Sequence, residues 1–138
     1  RVRARGPGRP DRPKQRVLSG SEGGGMMQAF EMLFLMLAAH ALCDYPLQGD
    51  FLAQGKGSFS KPHFGIPWWH CLTAHAIIHG GAVAVITGSA WIGVVETALH
   101  WIIDFSKCKK LTGINTDQFL HVACKLAYVV FIFRESIP

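Results

Sequence analysis

The chain has 138 residues, 49% hydrophobic and only 17% charged, against roughly a quarter charged in ordinary soluble domains. This excludes a large multidomain enzyme and an acidic disordered chain, and four cysteines without paired short spacing exclude a disulfide scaffold or a zinc ribbon. The net charge of +5 belongs to residues 1–25, which carry seven Lys or Arg and two acids, whereas residues 26–138 hold seven of each sign. No specific nucleic-acid partner is therefore expected for the body of the protein.

Residues 1–25 are rich in Arg, Gly and Pro and are predicted to form a disordered tail, separate from a domain at 26–138. The tail reads either as an arm for anionic lipid or nucleic acid or as sequence foreign to the native protein. Four apolar segments follow, at about 27–44, 71–87, 90–107 and 116–134. At 1.5 Å per residue each helix would be about 26–28 Å long, close to the roughly 30 Å hydrocarbon core of a bilayer. Tyr45-Pro46, a Gly/Pro/Lys loop, Gly88-Ser89 and the stretch from Lys109 to Gly113 separate them, with Asn115 or Thr116 as a cap for the fourth.

Apolar side chains surround these segments instead of forming one stripe. Residues Phe30 to Leu37 and Tyr128 to Phe133 cover most directions around a helix. Four such helices cannot all be central in so small a body, so the predicted fold is an all-α, up-down, transmembrane four-helix bundle. Lys56, Lys61, Lys107, Lys109 and Lys110 lie on two of the connections, which places that end in the cytoplasm by the positive-inside tendency. A native basic tail would weaken or reverse that orientation.

Each segment carries polar residues four apart: His40 and Asp44; His75 and His79; Glu96, His100 and Asp104; Asp117 and His121, with Lys125 one turn on. Such spacing places each set on one helical face. In an up-down arrangement all four sets fall at the Lys-bearing end. Imidazole and carboxylate at that spacing suit a divalent transition metal, zinc first, then manganese or iron. His40, Asp44, His75, His79, His100, Asp104 and His121 are the candidate ligands. They exceed the four of one tetrahedral zinc, so either two metals bind or some of these groups orient ligands and act as acid or base. Glu96 and Asp117 are the candidate general bases, and Lys56 and Lys107 the candidate anion-holding groups. A proton or ion pathway and a purely structural polar network remain alternatives. His63 and His70 are expected to be solvated beside the loop, with His70 the one that could join the site. Cys43 and Cys124 read as packing residues, and Cys71 and Cys108 as reduced thiols. The loop 46–69 reads as a surface connection or as a lid, with Trp68-Trp69 as an interfacial anchor ahead of the second helix.

The runs His40–Lys56, HAIIH at His75, HWIIDFSK at His100 and TDQFLH at Thr116 resemble a small bacterial and phage family. It is the domain-of-unknown-function family numbered thirty-three hundred and seven. The resemblance spans about residues 28–134. His40, Asp44, Gln48, Lys56, His75, His79, His100, Asp104, Lys107, Asp117, Gln118 and His121 sit on its motif positions. It implies a helical membrane protein of the bacterial inner membrane, or of the host inner membrane if phage-encoded. A more distant similarity of layout points to membrane-bound metal-dependent hydrolases. The leading functional expectation is thus a metal-dependent hydrolase acting on a lipid-linked or anionic substrate, such as a phospho-head-group. A non-enzymatic phage membrane protein with a structural clamp and a proton or ion conductor are the alternatives. An oligomer is compatible with all three.

Overall fold

The computed structural model describes residues 22–134. Among them are five helices and no strand: α1 (Glu22–Asp44), α2 (Gly49–Gly55), α3 (Trp68–Thr87), α4 (Ala90–Cys108) and α5 (Ile114–Phe133). Most of the predicted tail lies outside the described residues. Residues 22–25 instead extend α1, because Gly-rich sequence can continue a helix once it is nucleated downstream.

The helix boundaries follow local chemistry. Pro67 stands in an extended conformation at the N-cap of α3, so Trp68 and Trp69 open that helix and do not precede it. Gly88 ends α3 at φ +66°, in the left-handed region that glycine adopts without a Cβ penalty. The Ser89 side chain then accepts a hydrogen bond from the Ile92 backbone N–H and caps α4. The two-residue connection folds α4 back along α3. Neither Asn115 nor Thr116 caps α5, whose N-cap is Gly113.

The four long helices touch in a ring. α1 meets α3 and α5, and α4 meets α3 and α5, whereas the backbones of the diagonal pairs stay apart. The closest approach is between α3 and α4, where a Cβ on Gly93 would come within 2.6 Å of the Gly80 carbonyl oxygen. Short α2, unforeseen in the connecting loop, packs on α3 across Gly55. One end of the ring is apolar inside: Met36, Val83, Tyr128 and Val129 are buried with Met32, Leu33, Ile92 and Val95 against them. The outer faces are apolar too, with Phe30 67%, Phe34 63% and Trp91 73% exposed. α1 from Gly24, α3 and α5 are long and apolar enough to cross a membrane. α4 carries Glu96, His100, Asp104 and Lys107. The first three are buried and Lys107 is half-buried.

Candidate metal centre

The interior of the other end is polar. α1 supplies His40 and Asp44, α3 His75 and His79, α4 Glu96, His100, Asp104 and Lys107, and α5 Asp117, Gln118, His121 and Lys125. Spacing of four brings each set onto the inward face of its helix, and adjacency around the ring brings the faces together. Lys56, at the C-cap of α2, reaches in as well. It pairs with Asp104 Oδ2 at 2.5 Å and with the Gln48 side-chain oxygen.

Asp44 is the meeting point of imidazoles from two helices, α1 and α3. Its Oδ1 lies 3.2 Å from His79 Nε2 and 3.3 Å from His75 Nε2, and its Oδ2 lies 3.4 Å from His40 Nε2. His75 Nε2 is also 3.4 Å from Asp104 Oδ2. His79 and His100 stack with ring centroids 3.6 Å apart, and His100 and His121 at 4.2 Å.

These approaches do not have the angles of hydrogen bonds. Nε2 of His40, His75, His79, His100 and His121 is buried without a hydrogen-bond partner. Leaving a buried polar atom unpaired costs about 1–3 kcal/mol, so these nitrogens call for a partner. Ligand atoms at about 2.0–2.1 Å from a tetrahedral ion lie about 3.3 Å from one another. The separations around Asp44 match that spacing. Asp44, His75, His79 and His100 could hold a metal ion, as could His40, His100 and His121, and Asp104, Asp117 and His121.

Charge distinguishes the first group from the third. Among the described residues Asp44 faces imidazoles and the Gln118 amide, whose Nε2 donates to Oδ2 at 3.2 Å, but no ammonium. Asp104 and Asp117 face Lys107 at 3.1 and 2.9 Å, and Asp104 also faces Lys56. The first group is therefore the one whose negative charge calls for a cation from outside the chain.

Glu96 sits one turn deeper. It is paired with Lys125, accepts a hydrogen bond from the Tyr128 hydroxyl at 3.0 Å, and approaches His100 Nδ1 at 3.5 Å. This leaves His100 Nε2 turned toward Asp104, at 3.9 Å. All seven predicted ligands and all four predicted base or anion-holding residues thus share one continuous cluster. His63 packs on Phe51 and Phe64, and His70 is exposed against Trp69, so neither joins it. Tyr128 was not foreseen as a site residue. It lies on the same face as His121 and Lys125, seven and three residues on, and that periodicity was the available signal.

These features define a class: an all-α protein with membrane-compatible outer faces and a buried histidine–carboxylate centre at one end. The chain belongs to the family described as "Protein of unknown function (DUF3307)", which matches residues 32–137. No curated protein and no solved structure matches the chain.

Proposed function

We propose that this protein is a transmembrane four-helix bundle that holds a divalent transition metal ion through Asp44, His75, His79 and His100, and that it hydrolyses an anionic, membrane-associated substrate there. The observation that carries the proposal is the convergence of unpartnered imidazole nitrogens on Asp44 Oδ1 at 3.2 and 3.3 Å. α4 is the fourth crossing: Glu96, His100 and Asp104 are buried toward the ring, while Trp91, Val94 and Ile102 are exposed outside. The polar end faces the cytoplasm, because Lys61, Lys109 and Lys110 lie on the connections at that end and are exposed.

Three imidazoles with one carboxylate suit zinc best, then iron or manganese. A metal here would lower the pKa of water and polarise the substrate oxygen. The protein's own groups then divide the remaining work. Lys56 and Lys107 neutralise an anionic substrate group, the Asp104–Asp117 edge accepts the proton, and Glu96 holds His100 in the tautomer that presents Nε2. Substrate enters at the rim beneath α2, where the Lys107 side chain retains 23% of its surface and Asp44 10%. Entry requires Lys56 to leave Asp104, with α2 moving as a lid.

The burial of His75, His79, His100 and His121 favours a second reading, a non-catalytic metal clamp that locks the four helices. Full-length protein in detergent, stripped with chelator and reloaded, separates the two. The expected result is stoichiometric zinc together with hydrolysis of a chromogenic phosphate ester or of phosphatidic acid in vesicles. His79→Ala and His100→Ala should abolish that hydrolysis with the helices intact. Metal uptake without hydrolysis, with unfolding on substitution, supports the clamp. Folded protein that takes up no zinc, manganese or iron overturns both.

A further inference from the structure

We infer a second cation site, formed by Asp104, Asp117 and His121, so that the centre is dinuclear with Asp104 as the shared carboxylate. The inference rests on the metal reading above and extends it from one ion to two.

The two oxygens of Asp104 face different company. Oδ2 is turned to His75 Nε2 at 3.4 Å and His100 Nε2 at 3.9 Å, the side of the Asp44 group. Oδ1 is turned to His121 Nε2 at 3.7 Å. On that side Asp117 Oδ1 also stands 3.7 Å from His121 Nε2. These three atoms, Asp104 Oδ1, Asp117 Oδ1 and His121 Nε2, are buried, and none has a hydrogen-bond partner. Oδ1 thus belongs to the group with Asp117 and His121, while Oδ2 lies beside two ligands of the first group and is held by the Lys56 ammonium at 2.5 Å; once Lys56 leaves, as substrate entry also requires, Asp104 is placed to bridge the two sites.

Lys107 supplies positive charge at this position. Its ammonium lies 3.1 Å from Asp104 Oδ1 and 2.9 Å from Asp117 Oδ2. It keeps 23% of its side-chain surface, whereas Asp104, Asp117 and His121 keep 1% or less. Lys107 is therefore the member of this group that can withdraw to the rim when an ion enters. With two carboxylates and one imidazole, the second site is harder than the first and favours manganese or magnesium where the first favours zinc. With an ion present Asp104 and Asp117 act as ligands; the proton-accepting role of this edge belongs to the state in which the second site is empty.

Charge adds a condition. Asp44, Glu96, Asp104 and Asp117 against Lys56, Lys107 and Lys125 leave one negative charge when the five buried imidazoles are neutral. One divalent ion more than cancels it. A second in so sheltered a space calls for an accompanying anion, and a phosphate oxyanion between the ions and Lys56 meets that need.

The test uses the full chain in detergent, stripped with chelator, loaded with one equivalent of zinc and titrated with manganese followed by electron paramagnetic resonance. One further equivalent of manganese should bind, more tightly with inorganic phosphate present. Asp117→Asn should remove it while zinc stays bound. Lys107→Met, which removes the competing ammonium, should tighten manganese by about tenfold. No second equivalent, manganese uptake unaffected by Asp117→Asn, or unchanged affinity in Lys107→Met would overturn the inference. Lys107→Met keeps the question decidable if Asp117→Asn does not fold. Failure of zinc itself to bind would instead sink the metal reading on which the inference stands.

Discussion

The same four helices have interiors of opposite character at their two ends. At one end Met36, Val83 and Val129 close the ring with apolar side chains. One turn away on α1, α3 and α5, His40 follows Met36, His79 precedes Val83, and Lys125 precedes Val129, and the interior becomes ionic. The outer surface does not change in step, since large apolar side chains such as Phe34, Ile77, Ile102 and Phe119 are exposed along its length. The apolar end shows that these helices can pack without buried charge. The polar end spends stability that packing alone does not require. Buried ion pairs often roughly break even against apolar residues of similar volume, and unpaired imidazole nitrogens are a net loss. That asymmetry is the reason we place the proposed function at the polar end and the framework at the other.

The sharpest way to break this division is to truncate one residue on each side of it. His79→Ala should weaken zinc about a hundredfold or more, if the ~10–16 kcal/mol of a structural zinc is shared among four ligands. It should change metal-free stability far less, because it removes a group that is already unsatisfied. Met36→Ala should do the reverse, destabilising the fold by about 2–4 kcal/mol through the cavity it leaves with zinc affinity intact. Competition titration against a chromophoric chelator and thermal unfolding of the metal-free protein read the two effects separately. Equal loss of metal from both variants would mean that the ends are one cooperative unit.

The framework was largely legible in the chain, and the centre only in part. Helices of bilayer length surrounded by apolar residues announced themselves, and the spacing of His40/Asp44, His75/His79, His100/Asp104 and Asp117/His121 was enough to bring the four faces together at one end. α2 escaped notice because Gly49–Gly55 is too short to show a period and is bounded by glycines. Trp68-Trp69 reads as an anchor ahead of the helix, but the extended Pro67 serves as a helix entrance and both residues open α3. The partner of Lys56 was least accessible. The sequence offers Lys56 as an anion-holding group, but only the packing of α2 on α3 carries its ammonium onto Asp104, 48 positions away. Contacts of that separation depend on how the helices are rotated against one another, which a local pattern does not encode.

A subtler variant probes the border between the two ends. Glu96 belongs to the deeper turn yet approaches His100 Nδ1 at 3.5 Å. Glu96→Gln keeps the volume but weakens the acceptor that orients the imidazole. Zinc affinity should fall about 10–100-fold, and cobalt substituted for zinc should show an altered visible spectrum as His100 turns. A purely structural Glu96 would lower stability and leave the affinity and the spectrum of the folded fraction unchanged.

The smallest effect is expected at the lid. Gly55 lies so close to α3 that a Cβ there would stand 2.5 Å from Cys71 Sγ and 3.1 Å from Cys71 Cβ. The contact is with atoms near the backbone, so Gly55→Ala should push α2 outward by a few tenths of an ångström instead of being absorbed by a flexible side chain. Lys56, immediately after Gly55, would then be held less firmly on Asp104, at a cost of about 1 kcal/mol. Cys71 is 1% exposed beneath α2, which makes it a reporter of that movement. Thiol labelling of Cys71 in the folded protein should be several-fold faster in Gly55→Ala, read against a background variant with the other three cysteines replaced by alanine. An unchanged labelling rate would show that α2 is not the movable cover over the centre, and that access to the buried imidazoles lies elsewhere.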